Sequence, residues 1–247
     1  MLFPEEEPAP LRADWHDSYS QSCSRCRILD ALFPLVFRKN KHDGRLPSGF
    51  LHHETDLSNP DSPAATLTST SPPLTLRLAL PTDAPALLRI FTDSLNTEHD
   101  ASTAGLNTPP AIENLISRWR NLTTPLTRLN FVVVAAGGEV VGVGGTGCIY
   151  TREGDGKRVA DVGVMINPEA RRKGYAGASL RMTTDYLLRV LKLDEVTVEM
   201  RAANVGMRAL MEEKCSEFRS REREDLKFGD EISYRVGRDE WISSSKV

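Results

Sequence analysis

Asn167-Pro168-Glu169-Ala170-Arg171-Arg172-Lys173-Gly174-Tyr175-Ala176 is the stretch on which the fold of this 247-residue chain turns. Ahead of it, Asp161-Val162-Gly163-Val164-Met165-Ile166 is a mostly apolar run of the length of a buried strand. After it, Ala176, Leu180, Leu187 and Leu191 recur at helical spacing. A helix therefore begins inside the glycine-containing segment. Its first amide N–H groups lack carbonyl partners within the helix, and its dipole leaves partial positive charge there, worth about 0.3–1 kcal/mol to an anion. Arg171, Arg172 and Lys173 add to that field, and Gly174 lets the backbone approach a ligand oxygen that a Cβ would hold off. The stretch reads as a diphosphate-binding turn.

Working outward, residues 74–80 alternate apolar and other side chains before Pro81-Thr82-Asp83-Ala84-Pro85, which predicts a strand followed by a capped helix over 84–95. A second helical stretch surrounds residues 112–119. Phe131-Val132-Val133-Val134-Ala135, the Gly137-Gly138 turn and Val140-Val141-Gly142-Val143-Gly144-Gly145 predict a hairpin. A strand over 159–166 leads into the diphosphate turn, and residues 195–200 give another. A helix over 204–214 starts at Asn204, whose side chain suits an N-cap. Residues 216–224 and 231–236 complete the series as two terminal strands.

The pattern Arg171-x-x-Gly174-x-Ala176, set in this order of elements, resembles the acetyl-CoA signature of the GNAT superfamily of N-acetyltransferases, and is most similar to the subgroup of the ribosomal-protein alanine acetyltransferases. The resemblance spans roughly residues 74–237. It implies an α/β (α+β) fold: a mixed, mostly antiparallel sheet of six to seven strands, splayed between the family's strands four and five and flanked by about four helices. It also implies acetyl-CoA as co-substrate, with no metal. Unpaired backbone groups of Val164, Met165 and Ile166 would take the pantetheine arm as if it were an added strand. The diphosphate would sit on the amides of residues 172–176, thus on Arg172, Lys173, Gly174, Tyr175 and Ala176, with Arg171 and Arg172 as charge partners. Asn204 would approach the pantetheine.

Catalysis needs a base, since an amine is mostly protonated at neutral pH. Asp161, at the start of the family's strand four, is the first candidate, and Glu199, near the end of the next strand, is the second. Two departures from the family pattern stand out. Many members carry a tyrosine seven residues after the asparagine, where this chain has Met211, which cannot donate a proton. The usual Gly-Phe after Glu-Lys is replaced by Cys215-Ser216-Glu217-Phe218. The resemblance implies an N-acetyltransferase acting on a small amine or a peptide or protein N-terminus; the alternative is a silent acyl-CoA-binding sensor or docking module on the same fold. Acceptor specificity is expected in residues 96–110 and 224–231, and loop acids such as Glu98, Glu153 and Asp155 could attract a cation.

Composition bounds the rest. A net charge of −3 argues against general nucleic-acid binding, and no apolar run approaches the roughly 20 residues of a membrane span. The acidic start, Met1-Leu2-Phe3-Pro4-Glu5-Glu6-Glu7-Pro8, lacks the basic region of a signal peptide, so the cytosol, or the nucleus, is the expected compartment of a monomer or homodimer. Residues 55–73 are dominated by Ser, Thr, Pro and Asp and read as a linker. The expected division is therefore an N-terminal extension over 1–54 with an apolar island at 28–37, the linker, a transferase domain over 74–237 and a tail over 238–247. Cys23-Ser24-Arg25-Cys26 has the spacing of half a zinc site but no second pair to complete it, while Cys148 reads as a small buried hydrophobe.

Overall fold

The computed structural model describes residues 50–56, 64–100, 103–225 and 229–244. Cys23, Cys26 and the apolar island at 28–37 lie outside these residues.

Alternation along the valine run decides where the layers form. In the strand Asn130–Ala135 (β4), Phe131 and Val133 join a cluster with Leu74, Leu76, Met182 and Tyr186. Val132 and Val134 join another with Leu87, Ile112, Leu115 and Trp119. Side chains of a strand point alternately to its two faces, so β4 is buried on both and the sheet must be covered on both. Helices Ala84–Thr92 (α1) and Pro109–Arg120 (α3) supply one cover, and helix Tyr175–Asp185 (α4) the other. The hairpin is present as read: β4 pairs antiparallel with Val140–Thr151 (β5) across a turn in which Gly138 has φ +87°.

The remaining strands are Phe50–Asp56 (β1), Ala64–Thr70 (β2), Pro73–Arg77 (β3), Arg158–Ile166 (β6), Glu195–Arg201 (β7), Arg219–Asp225 (β8) and Gly229–Gly237 (β9). Together they form one nine-stranded sheet in the order β1-β2-β3-β4-β5-β6-β7-β9-β8. All pairs are antiparallel except β6 with β7. This exceeds the expected six to seven strands. The excess lies in β1 and β2, and β2 corrects the reading of 55–73 as a linker. Ala65, Leu67 and Ser69 are buried while Thr66 and Thr68 are half-buried and Thr70 is exposed. The segment thus alternates, and its threonines are β-branched residues that suit a pleated, half-buried surface. Composition averaged over the stretch concealed that period.

Two further boundaries differ. The helix expected over 84–95 breaks at Asp93, whose extended backbone (φ −74°, ψ 119°) starts a separate short helix, Ser94–Thr97 (α2), capped by its carboxylate through Leu95 N at 2.9 Å. The expected tail holds helix Arg238–Ser244 (α6), which docks through Trp241: the indole N–H donates to Asp185 Oδ1 at 2.8 Å, and its ring meets Phe218 edge-on at 6.2 Å. Asp83 also acts otherwise than as a cap for α1. It accepts the Arg77 fork at 2.7 and 2.9 Å and Leu80 N at 2.7 Å. Burial alone would push its carboxyl up, but those bonds hold it below the usual value of 3.8. Cys148 is buried on β5, and burial pushes the Cys215 thiol up to about 11.

Candidate functional site

The parallel pair β6·β7 is short. Its register runs Val159↔Glu195, Ala160↔Val196 and Asp161↔Thr197 and then stops, although β6 continues to Ile166 and β7 to Arg201. Past that point β6 stays paired with β5 and β7 with β9. The two strands part, and a cleft of about 1580 Å³ opens between them. Val164, Met165 and Ile166 lie in the diverging part of β6 and line it. In a strand, N–H and C=O groups point alternately toward its two neighbours; here one neighbour has departed.

The basic turn around residues 170–176 lines the cleft. Arg171 is extended, Arg172 is left-handed at φ +62°, and Gly174 is left-handed at φ +82° and precedes the first residue of α4. Such a backbone is costly for any side chain-bearing residue, and a Cβ on Gly174 would stand 3.5 Å from the Pro72 ring in the β2–β3 turn. Gly174, Tyr175, Ala176 and Gly177 all face the cleft at the start of the helix, where N–H groups lack helical acceptors. This arrangement fits an anionic group: donors, a positive helix end and a position without a side chain coincide. Tyr175 and Ala176 also pack partly on the core beneath.

Of the three cations, the structure distinguishes three uses. Arg172 is exposed and lines the cleft; Lys173 is exposed and is not among the lining residues. Arg171 is hydrogen-bonded to its surroundings, with Nε donating to the Ile166 carbonyl at 3.0 Å and Nη2 to the Leu95 carbonyl at 2.8 Å and Asn96 Oδ1 at 2.9 Å. These bonds give Arg171 a part in shaping the turn, and it is also exposed and lines the cleft.

Asp161 sits where the strands part. It is half-buried, and the Thr197 hydroxyl lies 3.4 Å from its Oδ1. A bulge in β5 places Gly147 opposite, where a Cβ would stand 3.6 Å from Asp161 Oδ2. Glu199, two residues beyond Thr197, is exposed and lines the same cleft. Asn204 caps helix Val205–Lys214 (α5), its Oδ1 accepting Met207 N at 3.0 Å, and also lines the cleft. Met211 is 1% exposed in the core. Among the described lining residues the side-chain hydroxyl is that of Tyr175. Sequence reading missed Asn96, Asn167 and Pro72, each placed by contacts distant in sequence.

Residues 73–214, more than half of the chain, match the family model described as an acetyltransferase (GNAT) domain. No curated protein matches the chain. Among solved structures, it is similar to an acetyltransferase of the GNAT family from Bacillus anthracis (18% identity, 77% of this chain and 99% of that one, TM-score 0.55). It is also similar to the ribosomal-protein alpha-N acetyltransferase RimL in complex with coenzyme A (14% identity, 66% and 93%, TM-score 0.58). A third is the spermidine N-acetyltransferase SpeG from Vibrio cholerae (18% identity, 70% and 98%, TM-score 0.57). At these identities the structural likeness is one of fold. Among the described residues no helix is long and apolar enough to cross a membrane.

Proposed function

The chain belongs to the GNAT family of acetyltransferases, and from that premise we propose that it transfers the acetyl group of acetyl-CoA to a primary amine by direct attack. The observation that carries this reading is the end of the β6·β7 register at Asp161↔Thr197, which joins a carboxylate, an opened strand edge and an anion-binding turn in one cleft.

Acetyl-CoA supplies an activated thioester. The backbone of Val164, Met165 and Ile166 receives its pantetheine arm, and the turn from Arg172 to Ala176 receives the diphosphate, with Lys173 adding long-range positive charge. The Nδ2 of Asn204 is the donor left over from its cap. Asp161 accepts a proton from the acceptor ammonium, directly or through water, and Glu199 is the second candidate. The freed lone pair forms the N–C bond, the C–S bond breaks and the sulfur leaves as thiolate; the nitrogen then gives its second surplus proton to water and the thiolate takes one from water, Met211 being in the core, so that the net proton released is the one Asp161 passes back to solvent. The acceptor is a small amine or a peptide N-terminus.

Release of free CoA, measured with a panel of amines and peptides, tests the reading. Turnover with any of them supports the transferase. Tight acetyl-CoA binding without turnover would instead support a binding module on this fold.

A further inference from the structure

The short helix α2 leads into the lip of the cleft, where Glu98, His99 and Asp100 are lining residues. Four residues are too few to hold a helix in place by their own hydrogen bonds. Burial of Leu95 cannot hold it either, since that side chain is 54% exposed. Asn96 is the group that can. It is 8% exposed, its Oδ1 accepts from Arg171 at 2.9 Å, and its Nδ2 donates to the Ile90 carbonyl at 3.0 Å and to Asn167 Oδ1 at 3.1 Å. Both ends of the amide are thus in use. Turning it over would set its N–H groups against the guanidinium and its oxygen against two acceptors, so one orientation is enforced. Asn167, 5% exposed, and Arg171 flank the first turn of the diphosphate segment, 75 residues from Asn96 in the case of Arg171.

We infer that Asn96 is a positioning residue, holding the acceptor lip in register with the diphosphate turn, so that a ligand stiffening the turn also stiffens the lip. The inference rests on the reading that acetyl-CoA occupies the cleft. Asn96 and Asn167 are buried and hydrogen-bonded to each other, and Arg171 is hydrogen-bonded to Asn96; removing one member leaves other groups unpaired, so motion of Arg171 is transmitted and not absorbed.

Hydrogen exchange on the full chain, with and without acetyl-CoA, reads this coupling without relying on activity. In the wild type, exchange should slow by about tenfold both at residues 172–177 and at 94–100. In Asn96→Ala the slowing should persist at the turn and vanish at the lip. There the acceptor KM should rise by about tenfold while acetyl-CoA affinity stays within about twofold, a split that general loss of stability would not produce. Asn167→Ala opens the same network from the other side and should behave alike, which covers the case of an Asn96 variant that fails to fold. Slowing at the turn alone in the wild type, or equal slowing at the lip in wild type and variants, overturns the inference. Absence of any acetyl-CoA binding removes the cofactor reading itself, and the coupling with it.

Discussion

Asp161 and Thr197 are the last residues that β6 and β7 hold in register, and the Thr197 hydroxyl stands 3.4 Å from the Asp161 carboxylate at the point where the strands separate. Side chains in register on neighbouring strands share a face, and Glu199, two residues on, returns to that face. Both acids therefore look into one cleft, but only Asp161 stands at its vertex, next to Gly147.

Asp161→Asn keeps the shape and removes the basic oxygen. Turnover is expected to fall by about 10²–10⁴ with acetyl-CoA affinity unchanged. The deficit should shrink as pH rises, because more of the acceptor amine is then already neutral. A deficit constant from neutral to alkaline pH in steady-state assays would assign Asp161 a positioning role, and no deficit would move the base to Glu199 or water.

Gly174→Glu is expected to abolish acetyl-CoA binding in calorimetric titration. The variant forces a side chain onto φ +82°, against Pro72, and adds negative charge where the helix end favours an anion. Equal affinity in variant and wild type would place the diphosphate elsewhere.

A chain beginning at Ser71 lacks β1 and β2. Leu67 and Ala65, fully buried in the full chain, are lost, and β3 becomes an edge. Removing one buried leucine forfeits about 1.5–3 kcal/mol, and at this size each 1 kcal/mol moves the melting temperature by about 2–4 °C. A fall of about 5–10 °C in thermal melts is expected. An unchanged melting temperature would mean that β2 adds nothing to the core.

The Arg77–Asp83 fork makes stability depend on acid. The folded carboxyl is held below its usual 3.8, so its contribution is present above that value and is lost as pH falls through the folded pKa. Asp83→Asn should cost about 1–3 kcal/mol at pH 7 in urea unfolding. The gap between variant and wild type should narrow below about pH 4. A gap of the same size at pH 3 would show that the charge is not what stabilises.

Met211→Tyr should not supply a general acid. The side chain enters the core with Leu180 and Phe218, where excess volume costs about 1–3 kcal/mol. Lower stability with no gain in kcat is expected; a raised kcat would mean that the position reaches the cleft.

Much of this protein was determined by residue order alone. The run 161–176 names a strand, a turn and a helix start through local chemistry: apolar length, clustered cations, one glycine and helical spacing. The apolar runs on either side of Gly137-Gly138 likewise name a hairpin. Local periodicity survives folding because neighbours in sequence remain neighbours in the element. What the order of residues did not disclose is set by contacts between distant segments. Nothing near Arg171 in sequence shows that Asn96 and Leu95, 75 and 76 residues away, accept its hydrogen bonds. The threonine-rich stretch 64–70 reads as a linker until Leu76 stands beside Leu67 and gives it a surface to bury against. Trp241 needs Asp185, 56 residues back, to make a helix of an apparent tail. A side chain's hydrogen-bond partner and a strand's neighbour are properties of the packed chain, and only tertiary structure decides them.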